Sequence, residues 1–179
     1  MSLVVFTIGH STRPIESFVR LLKAHGVTRV IDVRAIPRSR HNPQYDRRHL
    51  SPALRRAAIH YRHMPGLGGR RPSKKGSINT GWSNSGFRAY ADYMQTGAFA
   101  KSLERCIALA TDEPTVFMCA EGVPWRCHRS LIADALIVRG IDAREISSGI
   151  RATAHRLTSF ARVHGKTITY PSETGRVTR

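Results

Sequence analysis

Residues 3–33 read LVVFTIGHSTRPIESFVRLLKAHGVTRVIDV, and their pattern decides the fold. Leu3 to Ile8 is a short β-branched run halted by Gly9, the text of a buried strand ended by a turn. Pro14 suits a first helical turn, and Ile15, Phe18, Val19 and Leu22 follow at i, i+3, i+4 and i+7 before Gly26. One face of that helix is therefore apolar. Val27 to Val33 repeats the β-branched text, so the chain opens as strand, helix, strand, a unit that pairs its two strands in parallel.

The same alternation continues outward. Leu50, Leu54, Ala57 and Ala58 mark a helix, and Ile59 to Tyr61 a brief strand. Phe87, Tyr90, Ala91 and Met94 space out a short helix. Phe99, Leu103, Cys106, Ile107 and Ala110 space out another, which makes Cys106 a core residue. Thr115 to Cys119 is a buried strand; Leu131, Ile132, Ala135 and Val138 form a helical face closed by Gly140, and Ile141 to Ile146 is a further strand. Residues 151–165, RATAHRLTSFARVHG, are expected as one terminal helix. The predicted fold is α/β: a three-layer sandwich with a mostly parallel central sheet flanked by helices. Residues 1–165 are expected as a single domain and 166–179 as a loose, polar C-terminal tail.

Composition excludes several classes. A chain of 179 residues can bury a core without disulfide or metal staples. No apolar run approaches the roughly 20 residues that span a bilayer, and the N-terminus lacks a signal-peptide pattern. Cys106, Cys119 and Cys127 are too few for a disulfide framework, so free thiols and a cytoplasmic location are expected. Lys and Arg number 29 against 12 Asp and Glu, a net charge of +17 that attracts polyanions. Residues 66–86 are rich in Gly, Ser, Arg and Lys, a length and composition that suit either a functional lid or a disordered segment.

Open parallel sheets gather ligands where their strands hand over to loops and helix N-termini. The first strand delivers His10 and Ser11 there. The second delivers Asp32, Arg34, Ser39 and Arg40, and the strand ending at Cys119 delivers Glu121, Arg126, Cys127, His128 and Arg129. Three separate loops thus place polar groups at one edge, which predicts a shared pocket.

At these same residues the text resembles a known family. IGHST, DVR with PRSR, YRHMPGLGG, and MCAE followed by CHR look like the hallmarks of the domain of unknown function 488 family, in order from about Val5 to Ile146. That family has no generally established activity, so the resemblance implies a cytoplasmic α/β domain and marks these motif positions without naming a reaction.

Three chemistries use the marked residues. Arg34, Arg40, Arg126 and Arg129 suit bidentate clamping of a phosphate-bearing or nucleotide-like ligand, with His10, Ser11, Ser39 and Cys127 as further contacts. In that reading Cys119, Glu121, Asp32 and His128 are the groups available for turnover, and whether there is turnover stays open. Second, the positive charge alone fits a nucleic-acid-binding module without catalysis. Third, a thiol- or metal-dependent enzyme would use Cys119, Cys127 and His128. Cys119 followed by Arg126 is similar in outline to the anion cradle of protein phosphatases and rhodaneses. The loop is one residue longer, Pro124 removes an N–H, and Glu121 puts negative charge inside. A zinc or iron site on Cys119, Cys127, His128 and His10 lacks the paired Cys-x2-4-Cys knuckles of structural sites, so no metal and no cofactor are assigned. His25, His49, His60, His63, His155 and His164 lack partner motifs and read as surface or packing residues.

Overall fold

Strand β1 (Val4–Gly9) is flanked by β4 (Thr115–Cys119) on one side and β5 (Asp142–Glu145) on the other, both parallel to it. In the computed structural model, which describes residues 2–147, 149 and 151–172, the sheet runs in the order β3-β2-β4-β1-β5-β6. Here β2 is Arg29–Asp32, β3 is His60–His63 and β6 is Thr153–Ala154. Only the β5–β6 pair is antiparallel. The chain lays down β1, crosses to β2 and β3, then returns to insert β4 between β2 and β1, so the direction of travel reverses beside β4. Ligand crevices form at the carboxyl ends of strands beside such reversals.

Helices cover both faces. Helix α1 (Ile15–Ala24) sets Phe18 and Leu22, and α2 (Arg47–Arg56) sets Leu50 and Leu54, against Ile8, Val30, Val116 and Met118. Helices α3 (Ser85–Met94), α4 (Gly97–Asp112) and α5 (Arg129–Ile137) pack on the opposite face against Val5, Ile31, Phe117, Cys119 and Ala143. Side chains alternate between faces along a strand, so β4 sends Val116 and Met118 one way and Phe117 and Cys119 the other. All five residues of β4 are buried, as a central parallel strand covered on both faces requires. The expected three-layer α/β sandwich is what forms. Among the described residues no helix is long and apolar enough to cross a membrane.

The C-terminal part departs from expectation. Residues 151–165 do not form a helix: they supply β6 and then β7 (Arg162–His164), which pairs antiparallel with β8 (Thr167–Thr169) around Gly165 at φ 61°. Tertiary packing overrides the helical spacing here. The Trp82 ring takes Phe160 and Tyr170 at centroid distances of 4.9 and 5.5 Å, and Asp134 accepts hydrogen bonds from His155, Thr158 N–H and Tyr170 OH. Residues 166–172 are consequently not the loose tail expected, since Ile168 and Tyr170 are buried; residues 173–179 lie outside the described ones.

The long 66–86 loop is neither a free lid nor structureless over its described residues. Leu67 and Asn79 are buried; the Asn79 amide donates to Asp92 at 2.7 Å and accepts from Tyr170 N–H at 2.8 Å. Arg71 lies over the Tyr93 ring at 3.5 Å, a cation–π contact that adds to the hold on α3.

Candidate functional site

The carboxyl ends of the strands carry two polar clusters, one on each face of the sheet. Parity decides which residue joins which. Asp32 shares its face with Val30, under α2, and is fully buried. Its carboxylate accepts from Arg34 Nε at 2.9 Å and Nη2 at 2.7 Å, from Arg34 N–H at 3.1 Å, and from Tyr61 OH at 2.6 Å. Asp32 is therefore an orienting group for Arg34, closed off from any ligand. Burial opposes the Arg34 charge, but the hydrogen bonds and charge of Asp32 outweigh it and hold the guanidinium protonated. Arg34 also donates to Tyr45 O and to His10 Nε2, at 2.8 and 3.3 Å, leaving one Nη1 N–H with no protein acceptor among the described residues.

His10 stacks on Tyr45 with ring centroids 3.9 Å apart and planes 10° from parallel. An arginine N–H cannot accept, so Nε2 carries the lone pair and Nδ1–H donates to Ser11 O at 2.8 Å. Burial pushes the His10 pKa down to about 4, and the ring is neutral near pH 7. Ser11 takes a left-handed φ of 51° and donates its N–H to Ala120 O, which ties the first loop to the third. Gly9 permits this approach: a Cβ there would lie 1.7 Å from Glu121 O.

The second cluster lies under α5. Thr7, Cys119 and Glu145 share this face because the register aligns Gly9 with Cys119 and Thr7 with Glu145. Arg129, at the start of α5, is fully buried and reaches Cys119 and Glu145, and Thr7 Oγ1 donates to the same Glu145 carboxylate at 2.5 Å. It donates to Glu145 from Nη2 at 2.8 Å and Nε at 3.2 Å, to Cys119 Sγ from Nη1 at 2.9 Å, to Glu121 O, and to Gly122 O at 3.2 Å. The sulfurs of Cys119 and Cys127 are 2.7 Å apart, and both cysteines are free thiols. Burial works against a thiolate at Cys119. The Cys127 hydrogen bond and the Arg129 charge more than offset it and hold the thiol below its ordinary pKa. Cys127 is pushed up, first by its hydrogen bond to Cys119 and then by burial. The pair thus parts with one proton readily and keeps the other.

A cleft of about 570 Å³ opens above the cysteines, within the size range of ligand sites. Of the residues expected to meet in one pocket, Arg34, Cys119, Glu121, Arg126, Cys127 and His128 line it. His10, Ser11 and Asp32 do not: His10 and Asp32 belong to the cluster under α2, and the Ser11 side chain lies against Gly122 of the third loop. Arg129 does not either, since all its donors serve protein acceptors. Ser39 and Arg40 line a neighbouring groove of about 920 Å³ with Arg38, Arg47 and Arg48. Glu121 is exposed, and its carboxylate accepts the Val123 N–H at 2.9 Å, which makes it a loop brace. His128 packs against Tyr90 at 5.0 Å, and burial lowers its pKa to about 4. Gly69 lets the 66–86 loop touch that ring, for a Cβ there would meet His128 Nδ1 at 2.6 Å. Among the described residues no group of three or more His, Cys, Asp or Glu side chains is placed to hold a metal ion.

Four cleft or cluster residues escaped the reading of strand ends. Arg38, Arg70 and Phe87 line the cleft from loops and a helix start, and Glu145 closes the Arg129 cluster from the last parallel strand. Glu145 is one of three charged residues among the four of β5, so the sequence does not single it out, and its partner Arg129 comes from α5.

No curated protein and no solved structure matches the chain. The family model described as "Domain of unknown function DUF488" matches residues 14–136, more than half of the chain and the whole run from the first helix to α5, so the chain belongs to that family.

Proposed function

We propose that the cleft binds a phosphate-bearing, nucleotide-like ligand. The observation that carries this reading is the convergence of four guanidinium groups, Arg34, Arg38, Arg70 and Arg126, on one cavity where the single carboxylate among the described lining residues, Glu121, accepts a backbone N–H on one oxygen. Arg34 is pre-aligned by Asp32 and Tyr61 and keeps one N–H for an anion, so little side-chain entropy is lost when a phosphate docks. Phe87 and Ile36 add apolar wall for a base or sugar.

Arg38 and Arg126 are exposed, so alanine there leaves the core untouched. Calorimetric titration with ADP at low salt is expected to detect binding, weakened roughly tenfold by either substitution, as for loss of one charge-assisted hydrogen bond. Equal affinity in wild type and both variants, or no binding of ADP or inorganic phosphate, would sink the reading.

A second reading has its own support. The neighbouring groove presents Arg38, Arg40, Arg47 and Arg48 and shares Ile36 and Arg38 with the cleft, a continuous basic track on which a single-stranded nucleic acid would fit. Oligonucleotide affinity should then fall with salt at a log–log slope of about −0.7 per phosphate neutralised. A flat response removes this reading and leaves the mononucleotide one standing.

A further inference from the structure

The cysteine pair on the cleft floor is not used by anion binding, and its geometry has a chemistry of its own. Cys119 Sγ and Cys127 Sγ are 2.7 Å apart, beyond the ~2.05 Å of a disulfide bond by well under 1 Å. Cys119 ends β4 and Cys127 lies in the loop two residues before α5, so the pair closes that loop on itself. Arg129 Nη1 donates to Cys119 Sγ at 2.9 Å, and Glu145 accepts from Nε and Nη2 of the same guanidinium, so positive charge is fixed at this sulfur whatever occupies the cleft. Cys127 Sγ accepts the Arg129 N–H at 3.5 Å and lies 3.6 Å from His128 Nδ1. Both cysteines line the cleft. Cys106, by contrast, lies in α4 away from it, with its thiol pushed up to about 12 by burial.

We propose that Cys119 and Cys127 form a redox-active dithiol that exchanges with a small disulfide entering the cleft. The Cys119 thiolate attacks one sulfur of the substrate RS–SR; the substrate S–S bond breaks, RS⁻ leaves, and a Cys119–S–SR mixed disulfide forms. Cys127 gives its proton to the departing RS⁻, which leaves as RSH, and attacks Cys119 Sγ, which closes the Cys119–Cys127 bond. The second RS⁻ leaves as the thiolate. Two electrons move from the dithiol to the substrate disulfide, and the products are the internal disulfide, one RS⁻ and one RSH. A thiolate that attacks fast needs a lowered pKa and a resolving thiol within reach; the Arg129 guanidinium on Cys119 Sγ holds that thiol below its ordinary value, and the 2.7 Å approach of Cys127 supplies the resolving thiol. The exchange requires no phosphate in the cleft, so it stands or falls apart from ADP binding.

The test incubates the folded, reduced protein with oxidised glutathione, then quenches with N-ethylmaleimide under denaturing conditions and maps the thiols by mass spectrometry. The expected result is a chain carrying one N-ethylmaleimide, on Cys106, with Cys119 and Cys127 joined by loss of their two hydrogens. Cys127→Ser is expected to stop at a glutathione adduct on Cys119, and Cys119→Ser to slow glutathione release by roughly tenfold or more. Cys106→Ser should leave the rate unchanged. Three free thiols after excess oxidised glutathione, or a disulfide that includes Cys106, would overturn the proposal; both readouts come from the unmodified chain, so neither depends on a variant folding.

Discussion

Replacing Arg129 with alanine is expected to destabilise the fold by about 3–5 kcal/mol, the cost of stripping a buried ion pair of one partner. The guanidinium is fully buried and holds Glu145, Cys119 Sγ and the carbonyls of Glu121 and Gly122 together. Alanine leaves a carboxylate facing a thiol inside the core and two loop carbonyls without donors, each unpaired group adding its own desolvation penalty. Lysine is a poor rescue because one ammonium cannot span acceptors arranged around a planar fork. The double variant Arg129→Met/Glu145→Met should recover most of the loss, since it buries neither charge. Urea midpoints at pH 7 decide the matter: a loss under about 1 kcal/mol for the alanine variant would mean that the ion pair does not hold the third loop to the sheet.

The second large effect is a fall in stability on acidification above the range where carboxylates titrate. His10 and His128 are both held near pKa 4 by burial, against 6.5 for the free side chain. Between these values the unfolded chain binds the protons that the folded chain refuses. Each histidine's contribution is therefore complete above about pH 6.5 and is lost as pH falls toward 4, at up to about 1.4 kcal/mol per pH unit per residue. At His10 the cause is visible: a proton on Nε2 would remove the acceptor of Arg34 and set two positive charges together. Denaturant titrations at pH 7, 6 and 5 should show the slope, with His10→Gln removing about half of it. Equal midpoints at the three pH values would show that the rings admit protons in place.

Much of this was legible in the residues themselves. The β-branched run before Gly9, the i, i+3, i+4, i+7 face from Ile15, and the apolar stretch ending at Cys119 are local patterns, and local patterns carry helix, strand and the parallel layout of a β-α-β chain. The positions of polar groups after each strand were equally visible. The terminal helix was misread because residues 151–165 have no strong preference of their own, and Trp82, far away in the chain, draws Phe160 and Tyr170 into a hairpin instead.

The sequence by itself determined which residues stand at the ends of the strands, since hydrophobic runs stop where polar loops begin. Only the tertiary structure decided which face each of them joins and what it touches there. Asp32 and His10 fall under α2, and Cys119 falls under α5 with Thr7 and Glu145, because side chains alternate along each strand and the register sets Gly9 beside Cys119 and Thr7 beside Glu145. Register depends on pairing across more than a hundred residues of chain, and no local spacing records it. Arg129 therefore read as a ligand clamp in the sequence, and the fold turned it inward as the counter-ion of a carboxylate and a cysteine.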